Sequence, residues 1–413
     1  MDQALIDRIR ADMAYEYDRT GPPEGFPAFP DIPVERHVGD EFWRLEQEHV
    51  WPRVWVMAGR AEDVPEPGDF FTFDDLGVPL VVVRGTDGEV RCFANTCQHR
   101  GAPVVREARG SARRLRCQYH SWSYDVTDGS LVAVPDERDF VGLDRSQRCL
   151  PQVSCAVHGG FVFVNRDPEA QPLEQWLGAA AEMLAPFDCG SLREIYRRSV
   201  EVPCNWKVTA EAFLEVYHFS HIHSHDGFAI LDSRGAAMGL YPHGHSRMIT
   251  PFSSAQQARV GMDGWDDWKP LDQGPFPVID GVPDMVGCTS TAVSLFPNII
   301  IPLAPVGFPI NLFWPIDAHT TRLDWIYYGP RDWEGDELPR YWEILARNYD
   351  RIMGEDTANM APIHASMASP ALTGMPINYQ ERRIWHLHEQ LDAMIGDVPE
   401  HLRVPRLLDP YVE

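Results

Sequence analysis

Two groups of residues in this 413-residue chain have the types and spacing of metal ligands. The first reads Cys97-x-His99, then, after seventeen residues, Cys117-x-x-His120. Each half offers one thiolate and one imidazole. A zinc finger usually gathers both cysteines at one end and both histidines at the other, although a structural Cys₂His₂ zinc site remains open for these four residues. One of each per loop suits a cluster of two irons with unlike ligands. Thiolates hold one iron ferric, and neutral imidazoles let the other accept an electron at a higher potential than an all-cysteine cluster allows.

The second group is the run 215–225, which holds His218, His221, His223 and His225, four histidines within eight residues, with Glu215 just before them. Two histidines and a carboxylate on one face of Fe(II) leave the opposite face open for O₂ and substrate. Five residues place His218 and His223 ~140° apart on a regular helix, so the helix must end or bulge between them if both bind one ion. A surface histidine cluster is the competing reading. Against it, Trp206, Phe213, Val216 and Tyr217 line one apolar side of the preceding run, which predicts a buried helix over 206–218. The third ligand must come from a distant carboxylate. NYDRIMGEDTANM, 348–360, offers Asp350, Glu355 and Asp356, or is an ordinary acidic helix face.

The elements that position these groups change character along the chain. Residues 22–36 are proline-rich and read as an extended arm, and 39–51 have helical spacing. From about 51 to 165, short runs such as DFFTF, VPLVVVR, EVRCFAN and GGFVFVN alternate with EPGD, GTDG and VTDG turns, the pattern of a small β domain. Beyond 165, residues 173–184 are a helix candidate. Residues 225–285 lack periodicity, 293–330 hold strong strand candidates, and 338–395 read as mainly helical. The expected class is α+β: residues 1–50 an N-terminal arm and helix packed on the catalytic domain, 51–165 the β domain, and 166–413 a catalytic domain with a central antiparallel sheet flanked by helices.

Bulk properties narrow the function. A net charge of −25 argues against nucleic-acid binding. No run of eighteen apolar residues is present, and the N-terminus lacks the regions of a signal peptide, so the expectation is a cytoplasmic protein without a membrane span. Its eight cysteines then read as metal ligands or core thiols, with Cys92 assigned to the core. Six arginines between Arg100 and Arg116 break the acidic trend, as a solvated loop or as a docking patch for an acidic redox partner. With no G-x-G-x-x-G after a strand and no plant-type cysteine ladder, the chain cannot take electrons from NAD(P)H directly. The apolar stretch LFPNIIIPLAPVGFPINLFWPI favours an aromatic or largely apolar substrate.

The first motif, with the SWSYDVTDG that follows it, resembles the Rieske [2Fe–2S] motif. The second resembles the [DE]-x-x-H-x₄-H motif of the Rieske non-haem iron oxygenases, in the α subunits of the aromatic-ring-hydroxylating family. YQERRIWHLHEQLDAMIG resembles that family's closing helix. The resemblance implies a Rieske domain inserted into a helix-grip-like catalytic domain. Cys97 and Cys117 would then bind one cluster iron, and His99 and His120 the other. His218, His223 and Asp356 would bind a mononuclear Fe(II), while His221 and His225 do not fit. Glu215, a position that is often Asp, would link His218 to a Rieske histidine of a neighbouring subunit in a homotrimer or α₃β₃ hexamer. A ferredoxin or flavin reductase would supply the electrons, and NAD(P)H would act only through it. The implied reaction is O₂-dependent dihydroxylation or monooxygenation. O- or N-demethylation of a methyl ether or quaternary amine is one alternative, and electron transfer without oxygenase activity is another. Ala212, where Asn is common, departs from the pattern.

Overall fold

The computed structural model describes residues 1–225, 228–331 and 338–410. They form two compact units, one of residues 51–176 and one of residues 1–50 with 177–413. Among the described residues no helix is long and apolar enough to cross a membrane.

The 51–176 unit is all-β. Strands β1 (Val56–Arg60), β2 (Asp69–Phe73), β3 (Leu80–Arg84), β4 (Val90–Ala94), β5 (Arg109–Ser111), β9 (Gln152–His158) and β10 (Phe161–Asn165) form a seven-stranded sheet in the order β1-β10-β9-β4-β3-β2-β5. Strands β6 (Arg114–Arg116), β7 (Ser123–Asp125) and β8 (Leu131–Ala133) make a second, three-stranded sheet. Val81, Val82 and Val83 are buried on both faces, which is why this strand reads as continuous rather than alternating. Cys92 lies buried on β4, in register with Val82. The loops between β4 and β5 and between β6 and β7 carry the first ligand set. Asn95 pins the longer loop: its amide donates to Val105 O at 2.9 Å, and its carbonyl oxygen accepts from Val104 N and Val105 N.

The other unit is built on a seven-stranded antiparallel sheet of β11 (Leu192–Val202), β12 (Ala237–Leu240), β13 (Ser246–Pro251), β14 (Thr289–Leu295), β15 (Ile299–Leu303), β16 (Phe308–Asp317) and β17 (Thr320–Pro330). Its order is β11-β17-β16-β15-β14-β13-β12. Around it lie α1 (Gln3–Asp18), α2 (Glu35–Val38), α3 (Asp40–His49), α4 (Trp206–Glu211), α5 (Phe219–Ile222), α6 (Leu338–Met367) and α7 (Arg382–Ile395).

The structure departs from the sequence reading in three places. The 173–184 candidate is two short helices, Leu173–Leu177 and Ala179–Leu184, separated by Gly178 at φ +46°. The 206–218 candidate stops at Glu211, and Tyr217, expected on the buried side, is 56% exposed. Strands β12 and β13 occupy part of the stretch without periodicity. Both are buried on both faces, and Arg247 in β13 is fully buried, so neither alternates in hydrophobicity.

Candidate metal centres

The two loops of the first site share one backbone device. Gly101 N donates to Cys97 O at 2.9 Å, and Ser121 N donates to Cys117 O at 2.9 Å. Gly101 and Ser121, each four residues after its cysteine, both have positive φ, +76° and +61°. Such a tight left-handed turn exposes the ligands at its tip. Cys97 and Cys117 are buried, whereas His99 and His120 are only partly covered, with ring centroids 4.6 Å apart. The histidine side of the site thus lies nearer solvent. His99 stacks on Trp122, and Tyr119, 55% exposed, lies tilted against His120.

Two observations test whether these residues fit a [2Fe–2S] cluster. His99 Nδ1 is buried with no hydrogen-bond partner, as a ligand nitrogen should be. Burial, then His120 and Arg100, lower the His99 pKa and keep its imidazole neutral. Secondly, the four donors do not crowd together. Among the described residues only His218/His223/Asp356 and His37/Glu211/His388 place three donor atoms within 4.8 Å of one another. Donors around one tetrahedral ion stand roughly 3.3–3.8 Å apart, so the Cys₂His₂ spread suits two metals better than a single zinc. Tyr124, which sequence reasoning passed over, adds a hydroxyl 3.2 Å from Cys97 Sγ and accepts from Gln98 N at 2.9 Å.

The second site begins where α4 ends. Phe213 N and Leu214 N bond three residues back, to Ala210 and Glu211, and the chain tightens and leaves the helix. The Glu215 carboxylate then accepts from Tyr217 N and His218 N with one oxygen, and from His218 Nδ1 with the other. It caps the next turn and fixes the imidazole together. The one-turn α5 follows, and His223 leaves the helix at φ −100°, ψ +53°. This is the interruption that the His218–His223 spacing requires.

The outcome is convergence. His218 Nε2 and His223 Nε2 stand 3.2 Å apart, and Asp356 Oδ1 of α6 lies 3.6 and 3.0 Å from them. His223 Nδ1 donates to Glu355 Oε2 at 2.8 Å, and Arg351 holds Glu355 in turn. With each Nδ1 proton given to a carboxylate, both Nε2 lone pairs point at one another and at Asp356. Such a set repels itself unless a cation sits in its midst, which is the fit expected of an ion held by two histidines and one carboxylate. Burial disfavours a charged His223, but Asp356 and Glu355 outweigh it and raise its pKa, so the site draws positive charge. Of the other two acids considered, Glu355 holds His223 from outside and Asp350 binds Tyr196, Arg198 and Trp325.

The third triplet is not a metal site. Arg36 Nε donates to His388 Nδ1 at 2.9 Å, so His388 Nε2 carries the hydrogen and donates it to Glu211 Oε1 at 2.9 Å. A metal would compete with that hydrogen and face the Arg36 charge.

A cavity of about 200 Å³ opens beside the second site. Glu211, Ala212, Glu215, His218, Asp356 and Glu381 line it together with apolar side chains of α4–α7. Ala212 therefore faces this space, and a longer side chain there would fill part of it. The apolar stretch read as favouring an apolar substrate, now β14–β16, forms the buried sheet and does not line this cavity, and residues 226–227 lie outside the described residues. The six arginines of 100–116 are all exposed. Among them Arg109 pairs with Asp63 at 2.5 Å, and Arg116 donates to Ser121 Oγ.

The family model for the ring hydroxylating alpha subunit catalytic domain matches residues 189–397, and that for the Rieske [2Fe–2S] domain matches 54–153. The 2-aminobenzenesulfonate 2,3-dioxygenase α subunit of Alcaligenes sp is 29% identical over 78% of this chain and 79% of its own length. The biphenyl 2,3-dioxygenase α subunit of Rhodococcus jostii (strain RHA1) is 35% identical over 44% of this chain, a match that spans only 41% of that relative. In fold, the chain is similar to the quaternary ammonium Rieske monooxygenase CntA, with a TM-score of 0.69 at 20% identity over 92% of this chain and 100% of that one. It is equally similar to naphthalene 1,2-dioxygenase from Rhodococcus sp., with a TM-score of 0.69 at 21% identity over 96% and 100%.

Proposed function

Because the chain belongs to the ring hydroxylating α-subunit family, oxidoreductases that use O₂ with a [2Fe–2S] cluster and a mononuclear iron, we propose that it is the terminal oxygenase of a multicomponent system that hydroxylates an aromatic or other largely apolar small molecule. The observation that carries this reading is the convergence of His218, His223 and Asp356, with both Nδ1 protons already committed to Glu215 and Glu355.

Cys97 and Cys117 would hold one cluster iron, His99 and His120 the other, and His218, His223 and Asp356 the mononuclear iron. When bound, the cluster supplies electrons singly and the mononuclear iron supplies the centre at which O₂ is activated. The chain's own residues do the rest. Tyr124 donates toward Cys97 and offsets thiolate charge. Glu215 keeps the His218 Nδ1 proton in place, and in a trimer or α₃β₃ assembly its carboxylate would face a Rieske histidine of the neighbouring subunit. Glu355 locks the tautomer of His223. A ferredoxin or flavin reductase, itself reduced by NAD(P)H, would dock near Arg100–Arg116, where exposed positive charge interrupts an acidic protein. Eight free cysteines suit a reducing cytoplasm.

A second reading, demethylation of a methyl ether or quaternary amine, is favoured by the four carboxylates lining the cavity, Glu211, Glu215, Asp356 and Glu381, which suit a cation. O₂ uptake by the iron-loaded protein, with a reductase and ferredoxin, should be measured against a panel of arenes, aryl methyl ethers and quaternary amines. Uptake stimulated by arenes with hydroxylated product supports the main reading. Formaldehyde release from the methylated compounds supports the second. No stimulation by any of them, with iron loaded, contradicts both.

A further inference from the structure

We propose that His319, His364, His37 and Glu211 form a proton relay from solvent to the cavity beside His218 and Asp356. The inference rests on the oxygenase reading for its purpose, but the route itself is carried by geometry.

The reaction consumes protons at a centre whose histidines are half-buried and whose carboxylate, Asp356, is buried. Inserting one oxygen atom follows RH + O₂ + 2e⁻ + 2H⁺ → ROH + H₂O, and adding both atoms to an arene likewise takes two electrons and two protons per O₂. Electrons arrive one at a time, and a matching proton must arrive with each.

His319, in the turn between β16 and β17, is exposed. Its Nδ1 lies 3.0 Å from Nε2 of His364, which is 7% exposed on α6. The other nitrogen of His364, Nδ1, is buried without a hydrogen-bond partner. So is Nδ1 of His37, which is 1% exposed on α2, the helix against which α6 packs. Two orphaned imidazole nitrogens on packed helices would each carry a desolvation cost of about 1–3 kcal/mol, which a water placed between them would remove. From His37 the path is direct: Nε2 lies 2.7 Å from Glu211 Oε1, and Glu211 lines the cavity. His388 touches the same oxygen but ends there, because its Nδ1 is occupied by Arg36.

Each imidazole has one nitrogen facing outward and one facing inward, so a proton received on the first is matched by a proton released from the second. His319 passes its Nδ1 proton to His364 Nε2, and His364 would release one from Nδ1 to such a water. His37 accepts at Nδ1 and releases from Nε2 to Glu211. No net charge remains on the route after each transfer and tautomer reset. His364 is faced by His319, His37 and Lys207, and burial followed by His319 pushes its pKa down to about 4, which leaves it neutral between transfers. Burial disfavours the Glu211 carboxylate, but His37 and His388 outweigh it and hold the group ionised, with Lys207 and Arg36 also facing it, so Glu211 orients the His37 Nε2 proton and passes charge on only in a concerted transfer.

The test uses full-length protein with two variants, His364→Phe and His319→Ala. First, with Zn²⁺ in place of the mononuclear iron, ¹⁵N-histidine NMR follows solvent exchange of the His37 Nε2 proton. His364→Phe should slow it about tenfold or more, and unchanged exchange overturns the relay whatever the enzyme does. Second, iron-loaded protein is assayed for O₂ consumption with indole as probe in H₂O and D₂O. Loss of a positioned proton donor costs about 10²-fold or more in related chemistry. Both variants should lower kcat, leave KM for indole unaltered and enlarge the solvent isotope effect, and added imidazole should restore His319→Ala. A normal isotope effect with lowered kcat marks a merely structural role and overturns the proposal. Wild-type protein that consumes no O₂ with indole or with any of the arenes, aryl methyl ethers and quaternary amines above would count against the oxygenase reading, while the exchange measurement still decides the relay.

Discussion

His218 Nε2 and His223 Nε2 stand 3.2 Å apart although a regular helix would point them ~140° away from each other. The chain reconciles them by ending α5 at Ile222 and turning His223 out of the helical region. Two carboxylates from different parts of the sequence, Glu215 and Glu355, then take the outer proton of each ring. The pair is presented to Asp356 with both inner lone pairs free.

Glu355 is thus a tuning partner of the mononuclear site. Glu355→Ala leaves His223 free to rotate and to change tautomer. Iron affinity should fall roughly 10–100-fold, read by Fe(II) titration, with the cluster unaffected. An unchanged dissociation constant would remove Glu355 from the account.

Glu215→Gln preserves the shape and an oxygen that accepts from His218 Nδ1, but removes the charge. Both metals should remain bound while turnover falls about tenfold or more. Full activity in this variant would discredit an electron route through Glu215.

Tyr124→Phe removes a donor to Cys97. The hydroxyl favours the extra negative charge of the reduced cluster, so its loss should lower the potential. A hydrogen bond weighted by about 1 kcal/mol toward the reduced state corresponds to about 40 mV for one electron. A potential that stays put or rises contradicts the role given to Tyr124.

Stability should depend on pH through His388. Burial first, then Arg36, hold its pKa down at about 3, against about 6.5 in an unfolded chain. The folded form therefore resists the proton that the unfolded form accepts. Stability is full above pH 6.5 and is lost as pH falls toward 3, with a slope approaching about 1.4 kcal/mol per pH unit from this residue alone. Denaturant midpoints at pH 7.5, 6.5, 5.5 and 4.5 should be level across the first pair and fall across the rest. A midpoint flat down to pH 4.5 contradicts the buried network.

The parts legible in the sequence are those whose chemistry is local. Cys97-x-His99 and Cys117-x-x-His120 are two tight turns, and the spacing of His218 and His223 already demands a broken helix. Choosing Asp356 over Asp350 needed the resemblance, but the structure supplies the reason. Six residues turn a helix by ~240°, so Asp350 points at Trp325 and Tyr196 while Asp356 points at the histidines. What stayed hidden depends on distant packing. His37 meets Glu211 across 174 positions and Arg36 meets His388 across 352, and no periodicity announces such pairs. Strands β12 and β13 escaped for a related cause, being covered on both faces.

The most direct measurement is iron, zinc and acid-labile sulfide content with an EPR spectrum of the reduced protein, made side by side on wild type and Asp356→Ala. The account predicts about three irons and two sulfides per chain in wild type, and about two irons with an unaltered cluster signal in the variant. Zinc without sulfide, or the same iron content in both proteins, would contradict it.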